Sequence, residues 1–412
     1  MHASSALVVL AMLTAFALGA APVAAGRPEW MPKAPPLPLS GNIVRVTSPS
    51  ELDHAVRQAS DGDTILVADG VYQLDHLLHL RGRTGVTIRG ESGDPAKAII
   101  RGAGFENRES RFDLLVIHGC SNITVAYLTF EETPSYGVKL ENTRYEGRGL
   151  ENISIYDCRF ANCGTRMVKG TGGQGVPVVG GSIRYCTFEN TKVPPRQWLF
   201  EGDYISAIDC MRLVDWTISD NYFANIKGAN GGGRGAVFVW VESKNVVTER
   251  NVFVGCDRSI CYGNPSGSDF DAPTFHMTNG VIRNNFVVAG ADKGIEVCWG
   301  DGVDVYHNTV LADVGKKWAI HCHWRELRDV HVRNNLVRGQ ILGDEAMIAS
   351  GNVAEGVENA WFRDAAGGDL HLTALGPESV AREPRLERCE KDFDGEARPE
   401  NTLAGADEVS SK

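Results

Sequence analysis

Residues 246–253, VVTERNVF, form a short alternating strand, then a turn, then a large apolar residue. The same pattern recurs with a drifting period, in NITVAYLTF (122–130), NISIYDCRF (152–160), GSIRYCTF (181–188), WTISDNYF (216–223), GVIRNNFVV (280–288), VDVYHNTVL (303–311) and VHVRNNLV (330–337). A unit that recurs in this way indicates a stacked repeat architecture, because each unit can bury its apolar face only against its neighbours.

Two columns of residues follow when the repeats are aligned on their last apolar residue. We expect that residue to stack in the interior as an aromatic and aliphatic ladder, in the series Phe130, Phe160, Phe188, Phe223, Phe253, Val287, Val310 and Val337. Two residues earlier the alignment gives Leu128, Cys158, Cys186, Asn221, Asn251, Asn285, Asn308 and Asn335, with Asn352 as the last member. An asparagine at a bend can pass side-chain hydrogen bonds from coil to coil and tolerates left-handed backbone angles. The second column therefore predicts an asparagine ladder.

A second alternating strand precedes each repeat, as in SAIDCM, AVFVWV, GIEVCW and AIHCHW. Side chains alternate across a strand, so one interior column is predicted for Val138, Ile208, Val237, Ile260, Ile295 and Ile320. The length of the coil varies too much for a leucine-rich or propeller repeat, whereas a parallel β-helix accommodates insertions as loops between strands. The predicted fold class is therefore an all-β parallel β-helix.

The two ends of the chain predict caps and an export signal. Residues 1–25 have an apolar core followed by small residues, as in a cleaved signal peptide, and residues 26–42 are a Pro-rich linker. An amphipathic helix from Ser50 to about Ala59, with Ser50 as its N-cap, is expected to cover the open end of the core. We assign the β-helix to residues 43–365 and an irregular tail that packs on it to residues 366–412.

The segments DGDTILVADGVY (61–72) and GVTIRGESGDPAKAIIRG (85–102), followed by the Asn-bearing coils, resemble the right-handed parallel β-helix repeat family of the pectate-lyase-like superfamily. The tail DFDGEARPENTLAGADE (392–408) is similar to that of many exported bacterial members. Within this superfamily, the opening is most similar to alginate-lyase and chondroitinase-B type polysaccharide lyases. That resemblance implies a right-handed coil and action on an acidic polysaccharide. The family's calcium and Lys/Arg motif is incomplete, so only Lys244 and Arg258 carry over from it.

Composition restricts the class of partner and the compartment. The chain has 41 Lys and Arg against 52 Asp and Glu, a formal charge of −11, which argues against binding nucleic acid through a basic surface. No stretch after residues 1–25 is long and apolar enough to span a bilayer. The signal predicts a secreted or periplasmic location, with a membrane anchor at residues 1–25 as the alternative, and a monomer is expected. Ten cysteines could form disulfides in that compartment or serve as small buried apolar residues; both alternatives stay open. Cys158 and Cys186 would be neighbours in the ladder.

Side chains beside the second column should point outward and form the floor of a groove. One row is Lys139, Asp209, Phe238, Cys261, Glu296 and His321, and the next is Glu141, Met211, Trp240, Gly263, Cys298 and His323. Glu296, Cys298, His321 and His323 should therefore lie together, and we call them the histidine patch. A histidine beside a carboxylate can move a proton near neutral pH. The same ligand types suit Zn²⁺, and a surface pairing without function is the third interpretation.

Basic residues on successive coils predict a local positive strip in an acidic protein: Lys139, Arg166, Lys169, Arg234 and Arg258. Lyases acting on polyuronates neutralise a carboxylate, remove the C5 proton and assist the departing oxygen. Calcium often neutralises the carboxylate, and Asp203, Asp209 and Glu242 are candidate ligands, although their spacing does not form a compact cage. Solvated loop charges are the alternative interpretation. Aromatic side chains that suit a sugar face are Trp240, Trp299 and Trp324.

Three hypotheses follow. The first is an exported lyase or epimerase acting on an acidic polysaccharide, with His321, Glu296, His323, Lys139 and Arg258 as catalytic candidates. Substrate-binding candidates are Trp240, Asp209, Lys169, Arg234, Trp299 and Trp324. The second hypothesis is a glycan-binding or cell-surface protein with the same groove and no chemistry, and the third is a structural or adhesive spacer. The irregular loops and the histidine patch favour the first two.

Overall fold

Three long parallel sheets form the body of the protein. A computed structural model describes residues 26–141, 143–171, 176–265, 275–323, 327–376 and 380–409. Sheets A, B and C have 13, 10 and 10 strands, and every strand pair within them is parallel. Successive strands of the chain pass from sheet to sheet, so each coil contributes to all three. The protein is an all-β, right-handed parallel β-helix, as the sequence predicts.

The strands of the three sheets have the following bounds. Sheet A contains Asn42–Val46, Asp63–Val67, Thr87–Gly90, Ser121–Ala126, Leu150–Tyr156, Val178–Arg184, Leu213–Ser219, Ser243–Glu249, Met277–Thr278, Val281–Arg283, Gly300–Tyr306, Arg328–Arg333 and Met347–Ser350. Sheet B contains Gly70–Gln73, Ala98–Arg101, Thr129–Thr133, Arg159–Cys163, Thr187–Glu189, Tyr222–Ala224, Val252–Val254, Phe286–Val288, Thr309–Leu311 and Leu336–Arg338. Sheet C contains Leu78–Arg81, Leu115–His118, Tyr136–Glu141, Arg166–Thr171, Ser206–Met211, Gly235–Trp240, Arg258–Tyr262, Lys293–Val297, Trp318–Cys322 and Gln340–Gly343.

The first interior column is a continuous aromatic stack. Phe160, Phe188 and Phe223 are fully buried, and their rings stack at centroid distances of 4.9 and 4.8 Å. The stack continues to Phe130 on one side and to Phe253 on the other. Strand register then pairs Phe253 with Val287. This column is confirmed, and it fixes the register of sheet B because a slip of one residue would expose every ring.

The asparagine ladder is confirmed by its hydrogen bonds. Asn251 Oδ1 accepts hydrogen bonds from the backbone N–H and the Nδ2 of Asn221, both at 3.0 Å. The same pair of bonds repeats in every step along Asn251, Asn285, Asn308, Asn335 and Asn352.

One expectation about the ladder is wrong. The left-handed backbone angle falls on the residue before each ladder position, at Asp220, Arg250, Asn284, His307 and Asn334. The ladder asparagine itself must keep its amide pointing inward to reach the next coil, so the preceding residue makes the bend.

The second interior column lies in sheet C. Register joins Val138, Ile208, Val237, Ile260, Ile295 and Ile320 through successive strands. Val168 belongs between the first two, on the strand Arg166–Thr171, which the sequence alignment missed. That strand brings Arg166 and Lys169 into sheet C.

A helix covers the N-terminal end of the core. It spans Pro49–Gln58, and the side chain of Ser48, not Ser50, accepts the hydrogen bond from the backbone N–H of Glu51. Pro49 occupies the first helical turn, where a missing N–H costs nothing, and this moves the cap two residues earlier than expected. Leu52 and Val56 are buried against the end of the β-helix.

The proline-rich segment packs on the β-helix. The backbone N–H of Leu37 donates to the hydroxyl of Tyr127, and Tyr156 donates to the carbonyl of Pro35. Arg27 donates to the carbonyl of Asp220. The segment that the sequence indicates as a linker therefore lies along the outside of the coils. The predicted signal, residues 1–25, lies outside the described residues, and no helix within the described part is long and apolar enough to cross a membrane.

The C-terminal tail packs on sheet B. It contains two antiparallel pairs, Phe362–Asp364 with Asp369–Leu372 and Arg382–Pro384 with Asn401–Leu403. Phe393 stacks on Phe286 of sheet B at 4.0 Å, within a second apolar cluster that covers the outer face of that sheet. Short 3₁₀ turns complete the structure at Arg108–Ser110, Leu199–Gly202 and Asn359–Trp361.

All ten cysteines are buried, and none forms a disulfide. Cys158 and Cys186 are neighbours in the ladder, where the backbone N–H of Cys158 lies 3.4 Å from the sulfur of Cys186. Burial raises the pKa of the Cys186 thiol. In this structure the cysteines serve as small buried residues, nine in the coils and Cys389 in the tail.

Candidate functional site

The outer face of sheet C carries the residues that the sequence singles out. Register on this face runs from His79 at the N-terminal end to His321, and we call this series the outward row: His79, Val116, Lys139, Lys169, Asp209, Phe238, Cys261, Glu296 and His321. On this face the buried charged residues Asp209 and Glu296 lie beside partly exposed residues such as Lys139 and His321.

Glu296 is the centre of the histidine patch and is fully buried. Its Oε1 lies 2.7 Å from Nε2 of His323 and 2.8 Å from Nζ of Lys293, and its Oε2 lies 3.4 Å from Nη1 of Arg258. Burial alone would raise the pKa of this carboxyl group. The hydrogen bond from His323 and the charges of Arg258 and Lys293 outweigh that effect and lower its pKa to about 2. Glu296 is therefore an ionised anchor for the groups around it.

His321 and His323 stack face to face. Their ring centroids are 3.6 Å apart and their planes differ by 6°. Burial, with smaller contributions from the neighbouring His323 and Lys293, lowers the pKa of His321 to about 4. Nδ1 of His321 is buried and has no hydrogen-bond partner among the described residues. His321 is thus a neutral imidazole at pH 7, able to accept a proton.

Three charged residues of this centre were missed from the sequence. Lys293 reaches Glu296 from the start of the same strand, and Asp292 forms an ion pair with Arg258 and lies 2.8 Å from Nζ of Lys316. The Lys293 side chain is 4 % exposed, which is low enough to require the paired carboxylates. The sequence feature that could have located two of them is the pair Asp292 and Lys293, where the strand that carries Glu296 begins.

Asp209 is a second buried anchor on the outward row. It pairs with Arg166 and accepts a hydrogen bond from Nζ of Lys169 at 2.9 Å and from Nε1 of Trp240 at 3.0 Å. The two cations overcome burial and lower the pKa of Asp209 to about 2. Asp209 therefore positions basic side chains, and its oxygens are already engaged by them.

Three arginines come close together across the coils. Arg166 stacks over Tyr204, with its guanidinium carbon 3.7 Å from the ring centroid. Arg234 lies near both Arg166 and Arg258: burial lowers the pKa of Arg234, and the charges of those two neighbours lower it further. We call Arg166, Arg234 and Arg258 the arginine cluster. All three belong to the positive strip proposed from the sequence, and Arg166 and Arg258 are each paired with a buried acid.

Lys139 lies apart from the histidine patch. Its Nζ contacts Glu141 at 2.7 Å, and five register steps of about 4.8 Å separate it from Glu296, roughly 24 Å in all. A single sugar ring cannot touch both Lys139 and His321, so the candidate residues divide into a patch near His321 and a more distant part of the same groove.

The three tryptophans that the sequence suggests as sugar-binding residues lie in different surroundings. Trp240 is only 7 % exposed, and its ring stacks on Phe238 at 5.1 Å. Its indole N–H donates to Asp209, so Trp240 positions this carboxylate and offers little surface to a sugar. Trp299 stacks on His276 at 5.3 Å and is half-buried. Trp324 lies outside the described residues. The exposed aromatic near the arginine cluster is Phe200, which sequence reasoning missed because it lies in a turn between strands.

The candidate calcium ligands have other partners. Asp203 accepts a hydrogen bond from the backbone N–H of Asn230, and Glu242 forms an ion pair with Arg212 at 2.6 Å. Burial raises the pKa of the Cys298 thiol, which opposes thiolate ligation of zinc. Among the described residues, ligand atoms converge within 4.8 Å in the tail, at His371, Asp394 and Asp407.

Comparison with known proteins concerns the fold. Neither protein-family models nor curated protein sequences give a match. The structure is similar to that of XylC in complex with xylose, with a TM-score of 0.52 and 10 % identity over 88 % of this chain and 98 % of that one. The alginate lyase from Paenibacillus sp. str. FPU-7 gives a TM-score of 0.47 and 14 % identity over 74 % and 99 % of the two chains. The surface adhesin PfbA of Streptococcus pneumoniae gives 0.43 and 11 % over 74 % and 82 %. At such identities the likeness shows a shared fold and leaves activity to be argued from the site.

Proposed function

We propose that this protein is exported and acts on an acidic polysaccharide along the outer face of sheet C, by β-elimination. The observation that carries the proposal is the neutral His321, stacked on the His323–Glu296 pair, on the same face as the arginine cluster. Such a site offers a proton acceptor on the same face as fixed positive charge, with Arg258 in contact with Glu296. Both are needed to remove a proton next to a carboxylate.

The arginine cluster is the proposed carboxylate-binding part. Arginine donates several hydrogen bonds in a planar fork that matches a carboxylate. Buried acids hold two members in place, since Arg166 pairs with Asp209 and Arg258 pairs with Asp292. The charges of Arg258 and Arg166 act on Arg234 and are partly offset by Asp209, and the carboxylate of a uronate would offset them further. Binding of an anion is therefore favoured over binding of a neutral sugar.

His321 is the proposed base. It takes the C5 proton of the uronate, the C4–O bond breaks, and a double bond forms between C4 and C5. His323, hydrogen-bonded to Glu296, is the proposed donor of a proton to the departing oxygen. A uronate carboxylate bound by Arg258, the member of the arginine cluster that contacts Glu296, would add negative charge near His321 and raise its affinity for a proton.

The test is the ultraviolet absorbance of the unsaturated product, measured on alginates, pectates and glycosaminoglycans with calcium and with a chelator. We expect His321→Ala to lower kcat by roughly 100-fold to 10,000-fold, the usual range for loss of a general base. His79→Ala is the matched control, because His79 lies in the same outward row, its pKa is likewise lowered to about 4, and it is far from Glu296. Equal losses in both variants would contradict the assignment of the base.

A glycan-binding protein without chemistry is the second candidate. The observation in its favour is that both buried carboxylates, Glu296 and Asp209, are saturated by cations and thus unable to act as bases. Binding of the polymers without any unsaturated product, in the presence and absence of calcium, would select this function over the lyase.

Several assignments from the sequence remain part of the proposal. They are a signal in residues 1–25, a secreted or periplasmic location, a monomeric state and the domain boundaries at residues 42 and 365. Calcium, and after it zinc, are the ions to be tested. Mass spectrometry of the mature N-terminus and sedimentation of the purified protein test the first three.

A further inference from the structure

An exposed aromatic turn borders the arginine cluster. The turn is Leu199–Gly202, and the side chains of Leu199 and Phe200 are 53 % and 59 % exposed. Phe200 and Glu201 both have left-handed backbone angles, with φ of 52° and 54°. Two consecutive non-glycine residues in this region are disfavoured by steric contacts of their side chains. A large apolar ring held in solvent by a disfavoured backbone indicates a functional position.

The glycine-rich loop at residues 227–235 holds this turn in place. The carbonyl of Gly202 accepts a hydrogen bond from the backbone N–H of Ala229 at 3.2 Å, and Asn230 donates its side-chain amide to the carbonyl of Glu201 at 2.8 Å. A Cβ on Gly202 would lie 2.7 Å from that of Ala229, so this contact requires glycine. Asp203 accepts a further hydrogen bond from the backbone N–H of Asn230.

A buried acid orders the loop in turn. Asp257 is 2 % exposed, and its Oδ2 accepts hydrogen bonds from the backbone N–H groups of Gly228 at 2.8 Å and Gly233 at 3.1 Å. The turn is therefore fixed by two layers of hydrogen bonds, and its disfavoured backbone is imposed by its surroundings.

The ring of Phe200 lies at the arginine cluster. The guanidinium carbon of Arg234 is 4.5 Å from its centroid, and the ring of Tyr204, which also covers Arg166, is 5.4 Å away. The guanidinium of Arg234 thus lies over one face of the exposed Phe200 ring. The carboxylate of a uronic acid matches the cation, and the C–H face of its pyranose ring matches an aromatic face.

We propose that Phe200 is a sugar-stacking platform that positions one uronic acid ring while Arg234 binds its carboxylate. This inference rests on the proposed function. It adds the residue that, together with Arg234, selects a sugar ring with both a carboxylate and an apolar C–H face. Phe200 is a substrate-positioning residue and takes no part in proton transfer.

The experiment measures binding of alginate, pectate and chondroitin oligosaccharides to the full-length mature protein by calorimetry, with product formation followed separately. We expect Phe200→Ala to weaken binding about fivefold to tenfold, as loss of one aromatic stacking contact does. Phe200→Trp is expected to retain affinity. Leu199→Ala is the matched control, since it removes an equally exposed apolar side chain from the same turn and is expected to bind like the original protein.

The outcomes separate this inference from the lyase proposal. Loss of affinity in Phe200→Ala, rescued in Phe200→Trp, supports the platform even if no unsaturated product forms. Equal affinities of Phe200→Ala and the original protein overturn the platform and leave the lyase proposal standing. Absence of binding to every acidic oligosaccharide overturns both. If Phe200→Ala weakens binding no more than Leu199→Ala does, the platform is also overturned. Circular dichroism of each variant checks that it is folded.

Discussion

Glu296→Gln provides the sharpest test of the electrostatics of the site. The carboxylate is fully buried and contacts His323, Lys293 and Arg258. The pKa of Glu296 is lowered from 4.5 to about 2, and each unit corresponds to about 1.4 kcal/mol, so ionisation of Glu296 contributes roughly 3 kcal/mol to stability at pH 7. Removing one partner of a buried ion pair costs a similar amount, about 3–5 kcal/mol, because the remaining cations lose their counter-charge.

The sign of the pH dependence follows from the lowered pKa. The contribution of Glu296 is fully present above its unfolded value of 4.5 and is lost as pH falls toward about 2, where the folded group binds a proton. We therefore expect Glu296→Gln to lower the free energy of unfolding by about 3 kcal/mol at pH 7. The difference from the original protein should narrow steadily below pH 4.5.

Urea denaturation at a series of pH values, followed by tryptophan fluorescence, measures this difference. Asp301→Asn is the control, because Asp301 forms an exposed ion pair with Arg328, and such pairs contribute about 0–1 kcal/mol. A loss in Glu296→Gln that matches the control at pH 7, or one that does not change with pH, would refute the reasoning.

Three further changes test the fold. Asn251→Ala should lower the free energy of unfolding in urea by about 2–3 kcal/mol, because it leaves the buried backbone N–H of Asn221 without a partner. A decrease of less than about 0.5 kcal/mol would contradict the role of the asparagine ladder. Ser48→Ala should lower the free energy of unfolding by about 1 kcal/mol, and Ser50→Ala should lower it by less. The reverse order would show that Ser50 is the N-cap, as predicted from the sequence. Burial raises the pKa of Asp407 to about 7, so the contribution of Asp407 to stability is lost as pH rises from 3.8 through 7. Asp407→Asn should therefore reduce the difference in melting temperature between pH 5 and pH 8. An unchanged slope would show that Asp407 titrates normally.

The candidate site could be predicted from the sequence only in part. Alternation along GIEVCW and AIHCHW placed Glu296 next to His321, because a parallel register carries one residue of each coil onto the next. Part of the charge that acts on these two residues comes from elsewhere: Lys293 from the start of the strand and Asp292 from the loop before it. Loop conformation has no period, so the repeat could not locate them.

The sequence by itself determined the repeat, the interior aromatic and asparagine columns, and hence the parallel β-helix. These depend on side-chain period and on stacking of identical residues, which are local properties repeated from coil to coil. Tertiary structure alone decided which outward residues share a charge environment. It buried Asp209 and Glu296 under cations, made His321 neutral and brought Phe200 over Arg234 through a turn held by a distant glycine loop. Burial and electrostatic coupling depend on three-dimensional neighbours from several coils, and no single strand encodes them.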